Sequence, residues 1–482
     1  MPTRRVAAFL MFSFIMASQG HAATPRSPRE SLDTPAGHQL ASWITAFNTG
    51  NRETIDQYLR NNATEQFGLN NPAEHQLVDQ LYVGRFDLVE VENSTPLQLT
   101  GLLEAGDTGD LFEIAFVVGG DDAHLAVSMR MSPRPPAEPG SLRLSEHDLK
   151  RALRAKLNGW TKEDRFSGAV LLAQHGRIIF TGAYGYSDRS TNRPNTLDTR
   201  FRVGSISKAF TAIAILQQVQ VGKIKLADPI GAYLGDFQNR AIADRVTVRQ
   251  LLTHTGGTGD FFGPEFDARH AQLRNLDDYV AIDPMRALEF EPGEHTNYSN
   301  YGYILLGSVI EHVAGENYYD YIREHVYAPA GMSSSDTFSE DQKVPNRAVG
   351  YMRPLGTTTW IPSTNTLPNK GSSAGGSLSN VNDLLRFSQA LLKNKLLAKE
   401  YTDMAITEQP IPDYRGPPLG YGFADVRGTD GSGWFGINGG AEGMNAQLRM
   451  YPQSGFVVVV LSNFDPPSAD RVVEFIDQRL IH

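Results

Sequence analysis

The 482-residue sequence is 40% apolar and 20% charged, with 45 glycines and 27 prolines. That balance argues against a disordered or fibrous chain and fits a loop-rich globular enzyme of more than one domain. A net charge of −10 without long basic runs argues against nucleic acid as a partner, and the lack of cysteine removes disulfides, thiol nucleophiles and cysteine-ligated metals.

Taken from its start, the chain opens with Arg4 and Arg5, an apolar stretch from Val6 to Ala17, and small residues leading to Ala22 and Ala23. This order predicts a signal peptide over residues 1–22 and an exported protein, periplasmic or secreted. An uncleaved anchor is the alternative. No apolar run reaches the roughly 20 residues of a membrane helix, so no stable span is expected after cleavage.

Residues 23–131 read as a small α+β module. Gly37 to Asn48 and Arg52 to Asn61 look helical, with Leu40, Trp43, Ile44 and Phe47 at helix spacing. Asp110 to Val118 and Ala123 to Met131 look like strands. Helices followed by antiparallel strands suggest an independent α+β unit, and it carries no catalytic constellation. The Pro-rich run from Ser132 to Ser141 predicts a linker over 132–145.

Residues 146–482 form the second predicted domain. Glu146 to Leu157 reads as a helix, and Gly168 to Gln174 and Arg177 to Tyr184 read as strands joined at His175-Gly176. The middle is helical and loop-rich. Gly455 to Leu461 reads as a buried strand, and Ala469 to Leu480 as a closing helix. Strands at both ends of the domain imply a sheet whose first and last strands meet.

Three stretches carry the chemistry. Ser205-Ile206-Ser207-Lys208 is a single S-x-x-K, placing a hydroxyl and an amine on one face of an apolar helix. A lysine carried into such a helix loses hydration, which favours the neutral amine that can take a serine proton. Tyr298-Ser299-Asn300 is the only Y-x-N among 18 tyrosines; its phenol can relay a proton and its amide can bond substrate and lysine together. Ile437-Asn438-Gly439-Gly440 precedes the closing strands. Gly440 is the candidate second oxyanion donor beside the Ser205 amide, and a glycine-rich hairpin turn is the competing reading. Trp160, Trp360 and Trp434 could wall a cleft or pack a core. No histidine pattern points to a metal, and no cofactor is expected.

These stretches, with GAYGYSD, GKIKLADPIGAYL, VTVRQLLTHTGG, EPGEHTNYSNYGYILLG and SSAGGSLSNVNDLLRFSQALL, resemble the serine β-lactamase-related family. That family spans class C β-lactamases, penicillin-binding D,D-peptidases, D-aminopeptidases and family VIII esterases. The resemblance implies an α/β sandwich with a helical lobe. It also implies Ser205 as nucleophile, Lys208 and Tyr298 as the acid/base pair, and Asn300 as a substrate-positioning residue; by position, Gly440 and Asn438 join the substrate-binding candidates, Asn438 as a neutral donor in place of the family's cation. The N-terminal module lies outside it and is similar at most to a cystatin/NTF2-type unit.

One departure stands out. The family's third motif carries Lys or His before its small residue and glycine, whereas this chain has Ile437. His254-Thr255-Gly256-Gly257 belongs to a different element, the LLTHT loop. A missing charge-assisted hydrogen bond is worth roughly 1.5–3 kcal/mol, so carboxylate-bearing substrates should suffer more than neutral esters or amides. The expected function is a serine acyl hydrolase acting on small-molecule or peptide esters or amides. The alternative is a catalytically weak homologue that binds cell-wall peptides or protein partners.

Overall fold

The computed structural model describes residues 32–480 apart from 108, 135–142, 356, 358, 415 and 429–430. The predicted signal peptide and the middle of the predicted linker therefore lie outside the described residues. The chain forms two compact units, one comprising residues up to 49 with 53–76 and 85–135, the other 50–52, 77–84 and 136–482.

In the smaller unit, helix α1 (Pro35–Asn48) starts where the Thr34 hydroxyl accepts the Gly37 N–H at 3.0 Å, with proline at the first helical position. It buries Leu40, Trp43 and Phe47 on one face. Four antiparallel strands follow in sequential order: β1 (Phe86–Ser94), β2 (Gln98–Ala105), β3 (Leu111–Val118) and β4 (Ala126–Arg134). The first two were not anticipated, because β1 alternates its few apolar residues with Asp87, Glu90 and Glu92 on an open face. Strand β4 also corrects the predicted boundary at 131. It runs three residues into the expected linker, with Pro133 opposite Phe112. An edge strand tolerates proline because its outward N–H needs no partner.

The larger unit is a sandwich around one six-stranded antiparallel sheet. Its strands are β5 (Gly168–Gln174), β6 (Arg177–Tyr184), β7 (Ala424–Arg427), β8 (Gly433–Ala441), β9 (Met444–Tyr451) and β10 (Phe456–Ser462), in the order β7-β8-β9-β10-β5-β6. The first and last long strands do meet, with Val459 opposite Leu171. Alternation along them decides the layers. Val458, Val460, Val170 and Leu172 face one core with helix α2 (Glu146–Lys162) and the closing helix Asp470–Asp477. Val459, Leu461, Ala169 and Leu171 face the other core, which continues into the helical lobe.

The centre of that lobe is helix α3 (Ser207–Gln220), with eleven buried residues, packed against helix α4 (Asn300–Ala314). An apolar helix of this kind is stable only when enclosed on all sides. Trp160 is buried within the sheet's outer core, and Trp360 stacks on Phe464 with centroids 3.8 Å apart. Both therefore act in packing. No helix among the described residues is long and apolar enough to cross a membrane.

Candidate active site

Ser205 sits in a single 3-10 turn, Gly204–Ile206, that leads directly into α3. Gly204 has φ +52°, and a Cβ there would stand 3.0 Å from the Gly440 nitrogen and 3.1 Å from the Gly439 carbonyl carbon. Only glycine lets the turn lie this close to β8. Along β8, strand β7 pairs with residues 433–436 only. Past that point no strand among the described residues pairs with that edge, and Gly439 and Gly440 follow on β8 close to the Ser205 turn. The Gly440 main chain thus borders the turn that carries Ser205, while Asn438 stands exposed on the same strand. Ile437 turns its side chain onto the inner core.

Lys208 follows one turn into α3 and is 2% exposed. Its Nζ lies 3.1 Å from Ser205 Oγ, 2.7 Å from Asn300 Oδ1 and 2.6 Å from the Ala374 carbonyl. The Tyr298 hydroxyl donates to Ser205 Oγ at 2.7 Å. Four predicted residues, from two segments 90 positions apart, therefore converge on one oxygen and one amine. Ser299 holds the second segment in place: its hydroxyl caps α4 by accepting the Gly302 N–H at 2.9 Å and also donates to the Gly259 carbonyl.

Burial pulls the Lys208 ammonium down to about 7, against the opposing pull of Asp260. The Tyr298 phenol moves the other way and is held well above its usual range, chiefly by desolvation. The amine is therefore the group able to change protonation near neutrality, and the phenol stays a proton donor. The three acceptors around Nζ differ in kind. Asn300 Oδ1 and the Ala374 carbonyl can only accept, whereas Ser205 can also donate. A neutral amine that spends its two N–H groups on the first two directs its lone pair at the serine.

Three neighbours of this group carried no assigned role in the sequence. Ala374 lies in SSAGGS, and its carbonyl anchors the lysine. His254 is buried at φ +60°, stacks on Tyr298 and accepts the Ser299 N–H on Nδ1 at 3.1 Å. Asp260 bonds Asn300 from the far side. His295, also near the second motif, is an exposed partner of Asp413 at 2.7 Å.

Residues 150–482 match the family model described as Beta-lactamase. The chain is 31% identical over 323 residues to a putative penicillin-binding protein, PbpX, of Bacillus subtilis, covering 66% of this chain and 75% of that one. It is 27% identical to a D-aminopeptidase of Brucella anthropi, over 62% of this chain and 56% of the relative. Among solved structures, a penicillin-binding protein from Bacillus halodurans superposes with a TM-score of 0.60 at 30% identity, over 67% of this chain and 99% of that one. A D-stereospecific amidohydrolase from Streptomyces superposes at 0.57 with 27% identity, over 69% and 98%. With the S-x-x-K serine and lysine in contact under such a sandwich, the chain belongs over residues 150–482 to the Beta-lactamase family of serine hydrolases.

Proposed function

We propose that this is an exported serine acyl hydrolase that cleaves ester or amide bonds through a Ser205 acyl-enzyme. In this reading it is esterase- or peptidase-like and a poor β-lactamase. The observation that carries the reading is the two-sided approach to one oxygen, with Lys208 Nζ at 3.1 Å and the Tyr298 hydroxyl at 2.7 Å from Ser205 Oγ. The Ser205 proton passes to Lys208 Nζ as Oγ bonds the substrate carbonyl carbon. The Ser205 and Gly440 amides face the resulting oxyanion. As the tetrahedral species collapses, Tyr298 protonates the leaving alcohol or amine and takes its proton back from Lys208. Water then repeats the sequence on the acyl-enzyme.

Substrate preference follows from β8. Ile437, packed on the inner core, stands where the family carries a cation, so this position of β8 offers no charge to a substrate carboxylate, which favours neutral substrates. A cavity of about 500 Å3 lies on the loop from Glu408 to Leu419, lined by Glu408 and Gln409 as well as by Pro410, Pro412, Tyr414 and Leu419. Its loop is tied to the Tyr298 segment by the Thr296 hydroxyl on the Pro412 carbonyl at 2.6 Å. The names of the relatives, a D-aminopeptidase and penicillin-binding proteins, keep D-amino-acid amides and cell-wall peptides among the candidates. Export is supported by the apolar stretch after Arg5.

A second reading has Ile437 in its favour: a catalytically weak homologue that binds cell-wall peptides or protein partners. A hydrolysis panel separates the two. Short-chain p-nitrophenyl esters, D-amino-acid amides and a chromogenic cephalosporin are compared on the wild type and Ser205→Ala. Ester turnover above that of the cephalosporin, lost in the variant, is expected. No Ser205-dependent turnover of any substrate favours the binding reading.

A further inference from the structure

We propose that Asp260 is a positioning residue for acyl transfer: its carboxylate fixes which end of the Asn300 amide faces Lys208, and so aims the lysine lone pair at Ser205. The inference rests on the Ser205–Lys208 reading given above.

The loop before Asp260 is built to deliver it inward. Gly257 and Gly259 have φ +66° and +64°, and a Cβ on Gly257 would stand 2.4 Å from the Phe290 carbonyl oxygen. Buried Arg286 donates to the Asp260 carbonyl at 2.7 Å and stacks on Tyr301, its guanidinium 3.7 Å from the ring centre. One carboxylate oxygen then accepts the Phe261 N–H and the other the Asn300 Nδ2, each at 2.7 Å.

A carboxylate can only accept, so the NH2 end of Asn300 must face it. The oxygen end is left for Lys208 Nζ at 2.7 Å. In the flipped amide, two acceptors would meet at Asp260, and the NH2 group would face the lysine. A neutral amine would then turn its lone pair toward Asn300 and away from the serine. Asp260 therefore decides, through one intervening amide, whether the base points at the nucleophile. Its negative charge also raises the affinity of Lys208 for a proton, while burial raises that of Asp260 itself.

The other titratable groups facing the cluster are the His254 imidazole, the phenols of Tyr298, Tyr303 and Tyr414, the Arg286 guanidinium on the Asp260 carbonyl, and the Glu289 carboxylate, which accepts from Asn297 at 2.7 Å. Burial and the nearby Lys208 charge hold His254 down to about 3. Burial raises the phenols of Tyr298, Tyr303 and Tyr414. The acid limb of a pH profile therefore reports the Lys208–Asp260 pair.

The test measures kcat/KM for p-nitrophenyl acetate from pH 5 to 9 on the wild type, Asp260→Asn, Asp260→Glu and Ser205→Ala, with thermal melts as a folding control. Asp260→Asn removes a charge that keeps Lys208 protonated. Its acid limb should move to lower pH while its plateau falls about 10- to 100-fold, part of what a positioned base contributes. Asp260→Glu should keep the limb near its wild-type position. A wild-type plateau in Asp260→Asn overturns the proposal whether or not the limb moves, and so does a lowered plateau with an unmoved limb. Absence of Ser205-dependent turnover in the wild type overturns the parent reading as well. If Asp260→Asn does not fold, Asp260→Ser is held to the same two readouts.

Discussion

The imidazole of His254 lies flat against the phenol of Tyr298, ring centroids 4.4 Å apart and planes 29° from parallel. With Nδ1 accepting the Ser299 N–H, the ring proton sits on Nε2, and the ring stays neutral because burial holds it down to about 3. The histidine is thus a rigid backing for the phenol. His254→Ala removes a ring contact worth about 0.5–1.5 kcal/mol and strands a buried N–H at a cost of about 1–3 kcal/mol. Thermal melting should show the loss of stability. Acylation should slow several-fold, and His254→Phe, which restores a ring, should recover more of the rate than of the stability.

Lys208 works as a base only when neutral, and its proton is lost near pH 7. Because the lysine is depressed, activity is absent below that pH and present above it. The kcat/KM profile should therefore rise with unit slope through about 7 and stay level into the alkaline range, since the Tyr298 phenol titrates far higher. A profile already flat at pH 5.5 would remove the lysine from the base role.

Gly204 is the contact point between the nucleophile turn and β8. An alanine Cβ would meet backbone at 3.0–3.1 Å, at a φ of +52° that side chains resist. Neither partner is a flexible side chain that could move away. Gly204→Ala should lower stability by about 1–3 kcal/mol and abolish detectable acylation, measured by melting and active-site labelling.

Ile437 offers a gain-of-function arm. Replacing it with lysine restores a cation on β8 at the cost of desolvating an ammonium against the inner core. Turnover of a cephalosporin relative to a neutral ester should rise about 10-fold or more, within the roughly 1.5–3 kcal/mol of one charge-assisted bond. The thermal midpoint should fall. An unchanged ratio would mean that the cation is not what limits carboxylate-bearing substrates.

The parts of this account legible in the sequence are those written in local pattern. The all-apolar run after Lys208 specified a buried helix, and the valine run at 456–462 specified a strand covered on both faces. S-x-x-K and Y-x-N named four residues that the fold brings together. Strand β1 was missed because acidic residues on its open face masked its alternation. Asp260, His254 and the Ala374 carbonyl were not legible because their roles depend on geometry that no spacing encodes. These are a left-handed backbone at His254, a carboxylate reached through a neighbouring amide, and a main-chain oxygen.

The most direct test of the central claim is intact-mass and peptide mapping after reaction with a fluorophosphonate at pH 8. The account predicts a single adduct on the peptide containing Ser205, absent in Ser205→Ala and formed about 100-fold or more slowly in Lys208→Ala. An adduct on another residue, or labelling of Lys208→Ala at the wild-type rate, would contradict it.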